Sequence, residues 1–198
     1  FSHDNCFSVS CFRKISEGPI IDRSPIDSYF TGTAFILSKN DLWRMWYLSC
    51  TKWEMINGKL EPFYHIKYAE SKDGINWYRE GKVAIDYKYD SEAGICSASV
   101  IEENGIYKMW YSYRFSKEYR SDKRTSYRIG YAESIDGIIW NRKDSEFLFR
   151  DDNNDNNDWD SIMLAYPNVI KINESKYMFY NGNGFGKTGF GYAVLGNT

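Results

Sequence analysis

Three carboxylates recur at near-constant distances ahead of a recurring methionine: Asp27 lies 18 residues before Met45, Glu92 lies 17 before Met109, and Asp160 lies 18 before Met178. If each acid opens a repeated structural unit, the three ring one entrance of a common axis. Carboxylates facing one another across a sugar are what glycosidic cleavage requires, one to protonate the leaving oxygen and one to attack or to activate water. Acids that converge in this way repel one another, so at least one should keep its proton to an unusually high pH. The alternative is that the same acids cap turns and accept backbone N–H groups. Trp53, Tyr113, Arg114, Asn181 and Asn183 fall in the connections that follow the methionine runs, with Tyr166 and His65 nearby in the same scheme. Aromatic faces mixed with amides and a guanidinium suit a carbohydrate cleft. The aromatics would also serve as packing between units, and a lone histidine such as His65 as a hydrogen-bonded structural residue.

Convergence of that kind needs a scaffold, and the sequence contains one as an internal repeat. The segment from Tyr68 to Trp77 (YAESKDGINW) returns 63 residues later from Tyr131 to Trp140 (YAESIDGIIW), with eight of ten positions identical. Met45-Trp46-Tyr47 returns as Met109-Trp110-Tyr111 and again as Met178-Phe179-Tyr180, and Gly191-Tyr192-Ala193 echoes Gly130-Tyr131-Ala132. Each copy reads as four short strands. An apolar first strand (Ala34–Leu37, Ala98–Ile101, Asn168–Ile170) is followed by the methionine strand, whose Tyr107, Met109 and Tyr111 alternate with Lys108 and Trp110. A long polar connection, such as Thr51 to Pro62 or Arg114 to Ser126, leads to a third strand (His65–Ala69, Arg128–Ala132). Asp73-Gly74 or Asp136-Gly137 then makes a turn in which Gly takes a positive φ, and a fourth strand carries Trp77 or Trp140.

One such sheet cannot bury both faces alone, and tandem copies stacked around an axis can. The fold class is therefore all-β, a β-propeller of four-stranded antiparallel blades. Residues 1–26 read as outer strands of a preceding blade, 27–89 and 90–150 as blades, and 151–198 as an incomplete blade. About three and a third blades are too few to close a ring, so the expectation is that this is the C-terminal part of a longer protein, partnered by missing N-terminal blades. In this geometry the long connections share one face, and function belongs there.

Composition narrows the field. Aromatic residues make up 18% of the chain, which suits pleated, half-buried surfaces. A net charge of −2 argues against a nucleic-acid partner. No run of 18 apolar residues is present to span a membrane. Cys6, Cys11, Cys50 and Cys96 form no C-x-x-C pair, so they read as thiols in a reducing, cytoplasmic compartment, and with only His3 and His65 available no metal is expected. No cofactor is expected either. Gly184-x-Gly186-x-x-Gly189 and Gly186-Lys187-Thr188 imitate nucleotide loops but lead into a strand. Asp151–Asp155 begins like a calcium loop, yet Asn156 replaces its glycine and Ile162 its closing acid.

With these motifs assembled, the sequence resembles the five-bladed β-propeller glycosidase superfamily of arabinanases, xylosidases, levansucrases, invertases and mannoside phosphorylases, and most closely its uncharacterised, polysaccharide-associated bacterial members. The likeness is carried by Trp43 to Tyr47, by Tyr64 to Trp77 and its second copy to Trp140, and by Trp159-Asp160-Ser161 leading to Tyr177–Gly184. It implies a glycoside hydrolase-like protein acting on or binding a poly- or oligosaccharide. Family enzymes of the arabinanase and invertase type set an acid on the first strand, commonly next to a proline. The positions aligned here are Gly32-Thr33-Ala34, Cys96-Ser97-Ala98 and Ala165-Tyr166-Pro167, none of them acidic, and the first-blade nucleophile would lie upstream of Phe1. A non-catalytic carbohydrate-binding propeller is the alternative. A sialidase-like propeller is a further one, although Ser71-Lys72-Asp73-Gly74 lacks the residue which that family places between Asp and Gly.

Overall fold

The computed structural model describes residues 12, 14–147, 149 and 158–195. His3, Cys6, Cys11 and the Asp151–Asp155 run lie outside them. The architecture is all-β. A first antiparallel meander contains β1 (Thr31–Lys39), β2 (Leu42–Ile56), β3 (Lys59–Ser71) and β4 (Val83–Ile85). A second contains β5 (Glu92–Glu103), β6 (Ile106–Phe115), β7 (Arg128–Ser134) and β8 (Asn141–Arg142). The third contains β9 (Ala165–Ile172), β10 (Ser175–Asn181) and β11 (Phe190–Val194), with a short helical turn, α1 (Asn183–Gly186), between the last two. A parallel pairing of Tyr64 with Gly94 joins the first two sheets.

Side-chain alternation explains how the sheets stack. On β6, Tyr107, Met109 and Tyr111 face the first sheet and pack with Trp46, Ile66 and Tyr68. Trp110 points the other way and, with Ile129 and Tyr131, meets Val169, Met178 and Tyr180 of the third sheet. A period of two thus commits one face of the middle sheet to each neighbour. The strand pairs β1–β2, β5–β6 and β9–β10 turn through left-handed asparagines, Asn40, Asn104 and Asn173, a conformation that Asn tolerates better than most residues.

The repeated Ser-x-Asp-Gly segment is a clasp. Ser71 Oγ accepts from the Asp73 and Gly74 amides and donates to Asp73 Oδ1, which itself accepts from the Ile75 and Asn76 amides. Trp77 Nε1 donates to the Gly74 carbonyl at 3.0 Å. Ser134, Asp136, Gly137 and Trp140 repeat these bonds, and Trp46 Nε1 of the first sheet adds a bond to the Gly137 carbonyl at 2.9 Å. Repetition of the sequence here follows from repetition of a turn.

Three expectations need correction. Thr51 to Pro62 is a projecting hairpin arm and not a loop, because β2 and β3 stay paired out to Ile56 and Lys59 across a left-handed Asn57-Gly58 turn. The fourth strand of the first sheet is Val83–Ile85, and Trp77 belongs to the turn before it. The described residues from Lys14 to Phe30 contain no strand and run as an irregular strap, from which Ile21 packs beside Met45 and Tyr47.

Candidate functional site

Each sequence-predicted acid is engaged within its own sheet. Asp27, fully buried, accepts from Ser49 Oγ at 2.7 Å and Tyr47 Oη at 3.1 Å, and pairs with Lys67 at 3.2 Å and Arg79 at 2.8 Å. Burial alone would raise its pKa, but the Ser49 and Lys67 hydrogen bonds, the Lys67 charge and the Tyr47 hydroxyl together hold the carboxyl below its ordinary value. That is opposite to the direction expected for acids repelling one another. Glu92 takes a bidentate pair from Arg142, at 2.7 and 3.0 Å, and the Lys88 amide at 2.8 Å. Asp160, half-buried, accepts from Tyr180 Oη at 2.7 Å. Arg79 and Arg142 stand 63 residues apart, the spacing of the repeat, so the acid–arginine pair is itself a repeated device.

A different group gathers around the starts of β5, β7 and β9 and the end of β6. Arg114, at the end of β6, is fully buried, and its guanidinium lies 4.0 Å from the centroid of the Tyr119 ring and 5.2 Å from that of Tyr64. Its N–H groups donate to Tyr64 Oη at 3.2 Å and to the Pro62 and Phe115 carbonyls at 2.8 and 3.1 Å. Among the described residues no ion pair joins it to a carboxylate; tyrosine faces and carbonyl oxygens surround the charge, and the Glu61 carboxylate lies near enough to feel it. Tyr64 and Tyr127 share a short hydrogen bond between their hydroxyls, and the Tyr166 ring lies 5.8 Å from that of Tyr127. Burial raises the pKa of the Tyr64, Tyr127 and Tyr166 hydroxyls and pushes the Cys96 thiol beside them up to about 11. All four are neutral at neutral pH. Gly94 makes the close packing possible, since a Cβ there would lie 2.8 Å from both Arg114 Nε and the Tyr64 ring.

The hairpin arm leans over this cluster and is tied to the connection between β6 and β7. Glu61, buried, accepts from Arg120 at 2.5 Å and from Tyr119 Oη at 2.9 Å, and Asn57 at the arm's tip donates to Glu118 at 3.0 Å. The Arg120 hydrogen bond, set against burial and aided by Tyr119, keeps the Glu61 carboxyl below its ordinary range. Between arm and connection lies an open cavity of about 310 Å³, bordered by Ile56, Lys59, Ser116, Glu118 and Arg120.

Of the other sequence-predicted residues, Arg114 and Tyr166 enter this cluster and the rest do not. Trp53 sits on the arm, 43% exposed, with its ring against Phe30. His65 is buried against Tyr87, with Nδ1 3.0 Å from Asp86 Oδ1 and no partner for Nε2. Tyr113 lies half-buried between Tyr111 and Phe115. Asn181 donates to the Phe185 carbonyl, and Asn183 is fully committed, accepting from the Ile162 and Met163 amides and donating to the Asp158 carbonyl. Tyr64, Tyr119 and Tyr127 were missed, although the 63-residue spacing of Tyr64 and Tyr127 marked them as equivalent. Among the described residues no group of three His, Cys, Asp or Glu could hold a metal, and no helix is long and apolar enough to cross a membrane.

No family model matches the chain. Two curated proteins from strains of Mycobacterium tuberculosis, the uncharacterized proteins MT1551 and Rv1502, are each 32% identical over 188 residues, a match that takes in 94% of this chain and 58% of theirs. The chain thus spans a little over half the length of the curated relatives it matches. Among solved structures, a glycoside hydrolase superimposes over 90% of this chain and 50% of its own, with a TM-score of 0.65 at 19% identity. A family 117 glycoside hydrolase from the marine bacterium Zobellia galactanivorans does so over 88% and 54%, with a TM-score of 0.63 at 17% identity. At these identities the likeness is one of fold, and the fold is one found in glycoside hydrolases.

Proposed function

We propose that the three sheets are blades of a longer β-propeller, of the five-bladed type, that handles a poly- or oligosaccharide, and that this part of it contributes recognition. The observation that carries the reading is the Arg114 cluster. A buried guanidinium fixes Tyr64 and Tyr119, Tyr64 fixes Tyr127, and Tyr127 backs the half-buried Tyr166 at the start of β9. Tyr64, Tyr119 and Tyr127 are buried and act as a backing, and the half-buried Tyr166 ring is the face of the four left for a sugar to stack on. The fold's likeness to glycoside hydrolases adds support. Cytoplasmic residence belongs to the same proposal and rests on the free thiols Cys50 and Cys96.

The acids favour recognition over cleavage, because a general acid needs a pKa near the working pH and the Asp27 carboxyl is held the other way. One observation favours a second, hydrolytic reading. Asp160 is half-buried, accepts one hydrogen bond from Tyr180 and, unlike Asp27 and Glu92, has no cation paired with it among the described residues. The complete protein should be titrated calorimetrically with manno-, arabino-, fructo- and galacturono-oligosaccharides while reducing-sugar release is followed. Binding without release supports recognition. Release that disappears in Asp160→Asn supports hydrolysis, and neither binding nor release overturns both.

A further inference from the structure

Equivalent positions of the repeat differ in burial from sheet to sheet. Val100, on β5, faces the first sheet and is 1% exposed, whereas Ile36, its counterpart 64 residues earlier on β1, is 40% exposed. Tyr107 is buried in the same way, and its counterpart Trp43 is exposed. The other end of the stack shows the converse. Tyr68 of β3 is 3% exposed beneath the second sheet, and Tyr192, at the same register on β11, is 61% exposed; Ile66 and Phe190 repeat the contrast. The residue types are those of a sheet–sheet core in each case, and what differs is whether a neighbouring sheet lies against them. Apolar side chains grouped in this way on a surface mark a contact.

The strap carries a second sign of the same kind. β4 is the outer strand of the first sheet, pairing Ile85 with Ile66, and it leads into the segment that opens the second sheet, where Arg142 donates to the Asp86 carbonyl at 2.8 Å and to Glu92 at 2.7 Å. One repeat earlier the strap has the same anchors, with Arg79 donating to the Asp22 carbonyl and to Asp27, both at 2.8 Å. The residue just ahead of each anchor, Ile85 or Ile21, packs with the methionine and tyrosine of the sheet that follows, Met109 and Tyr111 or Met45 and Tyr47. Ile21 therefore holds the place of an outer-strand residue. It has no strand beside it: among the described residues neither Ile20 nor Ile21 joins its backbone N–H to another backbone group. β11 is the reverse case, a third strand with no fourth paired to it among the described residues.

We propose that residues 19–21 form the outer strand of a further sheet of the same repeat, which in the complete protein lies against Ile36 and Trp43, and that another such sheet covers Phe190 and Tyr192. The two open faces are opposite halves of one interface, seen whole between the first and second sheets and again between the second and third. A repeat unit carries one half of each kind, so it fits either face in a single orientation, head to tail. The 188 matched residues make up 58% of each curated relative, and the remainder is long enough for two more 63-residue repeats, one for each open face. This inference rests on the longer-propeller reading and names what closes on each side of the three sheets.

The test uses the complete protein. Ile36→Asp should lower its melting temperature as much as Val100→Asp does, by at least about 5 °C, because both then bury an unpaired charge between sheets. Tyr192→Asp should match Tyr68→Asp, and Met55→Asp, on the arm and outside both faces, should shift the transition by less than about 2 °C. If the aspartate variants fail to fold, Ile36→Ala and Val100→Ala give the same comparison. Hydrogen exchange should find the Ile20 and Ile21 amides as protected as those of β4. A silent Ile36→Asp or fast exchange at Ile21 overturns the inference. So does a dimer by light scattering that Ile36→Asp converts to monomers, since the occupant is then a second copy. If circular dichroism finds no strand beyond these three sheets, the longer-propeller reading itself fails. If the strand is there and Ile36→Asp is silent, only this packing fails.

Discussion

The turns at Ser71–Trp77 and Ser134–Trp140 have the same side chains at their key positions and the same hydrogen bonds, and in both the Ser and Asp oxygens are paired locally. At the opposite end of the sheets the backbone repeats just as closely, with a bulge at one register in all three units, but the residues do not: Thr33, Ser97 and Tyr166 occupy it, and Cys50, Arg114 and Asn183 follow the three methionine strands at equivalent spacing. One end repeats chemistry and satisfies itself. The other repeats shape and varies chemistry. In a repeat protein, sequence identity between copies marks what builds the fold, and difference at a fixed geometry marks what the fold is free to use.

The comparison breaks most readily at the self-satisfied end. Trp46→Ala should cost about 3–5 kcal/mol in urea unfolding, since it empties a fully buried site between two sheets and abandons the Gly137 carbonyl. Affinity for any glycan, measured on the folded fraction, should stay within about twofold; a selective loss of affinity would erase the distinction between the two ends.

Asp27→Asn should cost about 3 kcal/mol at neutral pH, because Lys67 and Arg79 lose their carboxylate in a largely desolvated site. The sign of the pH effect follows from the lowered pKa. The folded state holds Asp27's proton more weakly than the unfolded chain, so this stabilisation is complete above the unfolded value near 3.8 and disappears as pH falls through the lower folded value. The gap in stability between wild type and variant should therefore be smaller at pH 3 than at pH 7. Curves that stay equally far apart at both pH values would remove Asp27 from the clasp.

Ser134→Ala deletes a buried hydroxyl that anchors one copy of the turn and should cost about 1–2 kcal/mol, with Ser71→Ala doing nearly the same. A large inequality between them would show that the two copies are not equivalent. The smallest effect is expected from Trp53→Ala on the exposed arm, within about 0.5–1 kcal/mol of wild type by thermal unfolding. A much larger loss would mean that the arm buttresses the fold.

What could be read from sequence was what is local. The Ser-x-Asp-Gly turn closes within seven residues, so its repetition located the sheets before any contact was known. The arm was equally local and was misread: Asn57-Gly58 is a strong hairpin signal, flanked by Trp53 and Met55 facing Pro62 and Leu60, but its polar residues suggested a loop. Asp27 and Glu92 were found by spacing, but the arginines that pair with them, Arg79 and Arg142, come 52 and 50 residues later and could not be read from any local pattern. The Tyr64–Arg114–Tyr127 cluster was out of reach for a similar reason. It joins side chains 50 and 63 residues apart across a sheet boundary, and no local pattern reports such a meeting.

The stacking of the sheets also has a consequence in time. Each meander pairs strands that are neighbours in sequence, so its hydrogen bonds can close as soon as its own residues exist. Its outer face cannot. Trp46 and Tyr68 wait for Tyr107 and Trp140, Trp110 and Tyr131 wait for Val169 and Met178, and the equivalent face of the third sheet, with Ile170, Phe179 and Tyr192, is still open, Tyr192 at 61% exposure. A chain emerging from the ribosome therefore carries one sticky face at every stage of its synthesis, always at the newest sheet. The demand for a chaperone travels along the molecule with it.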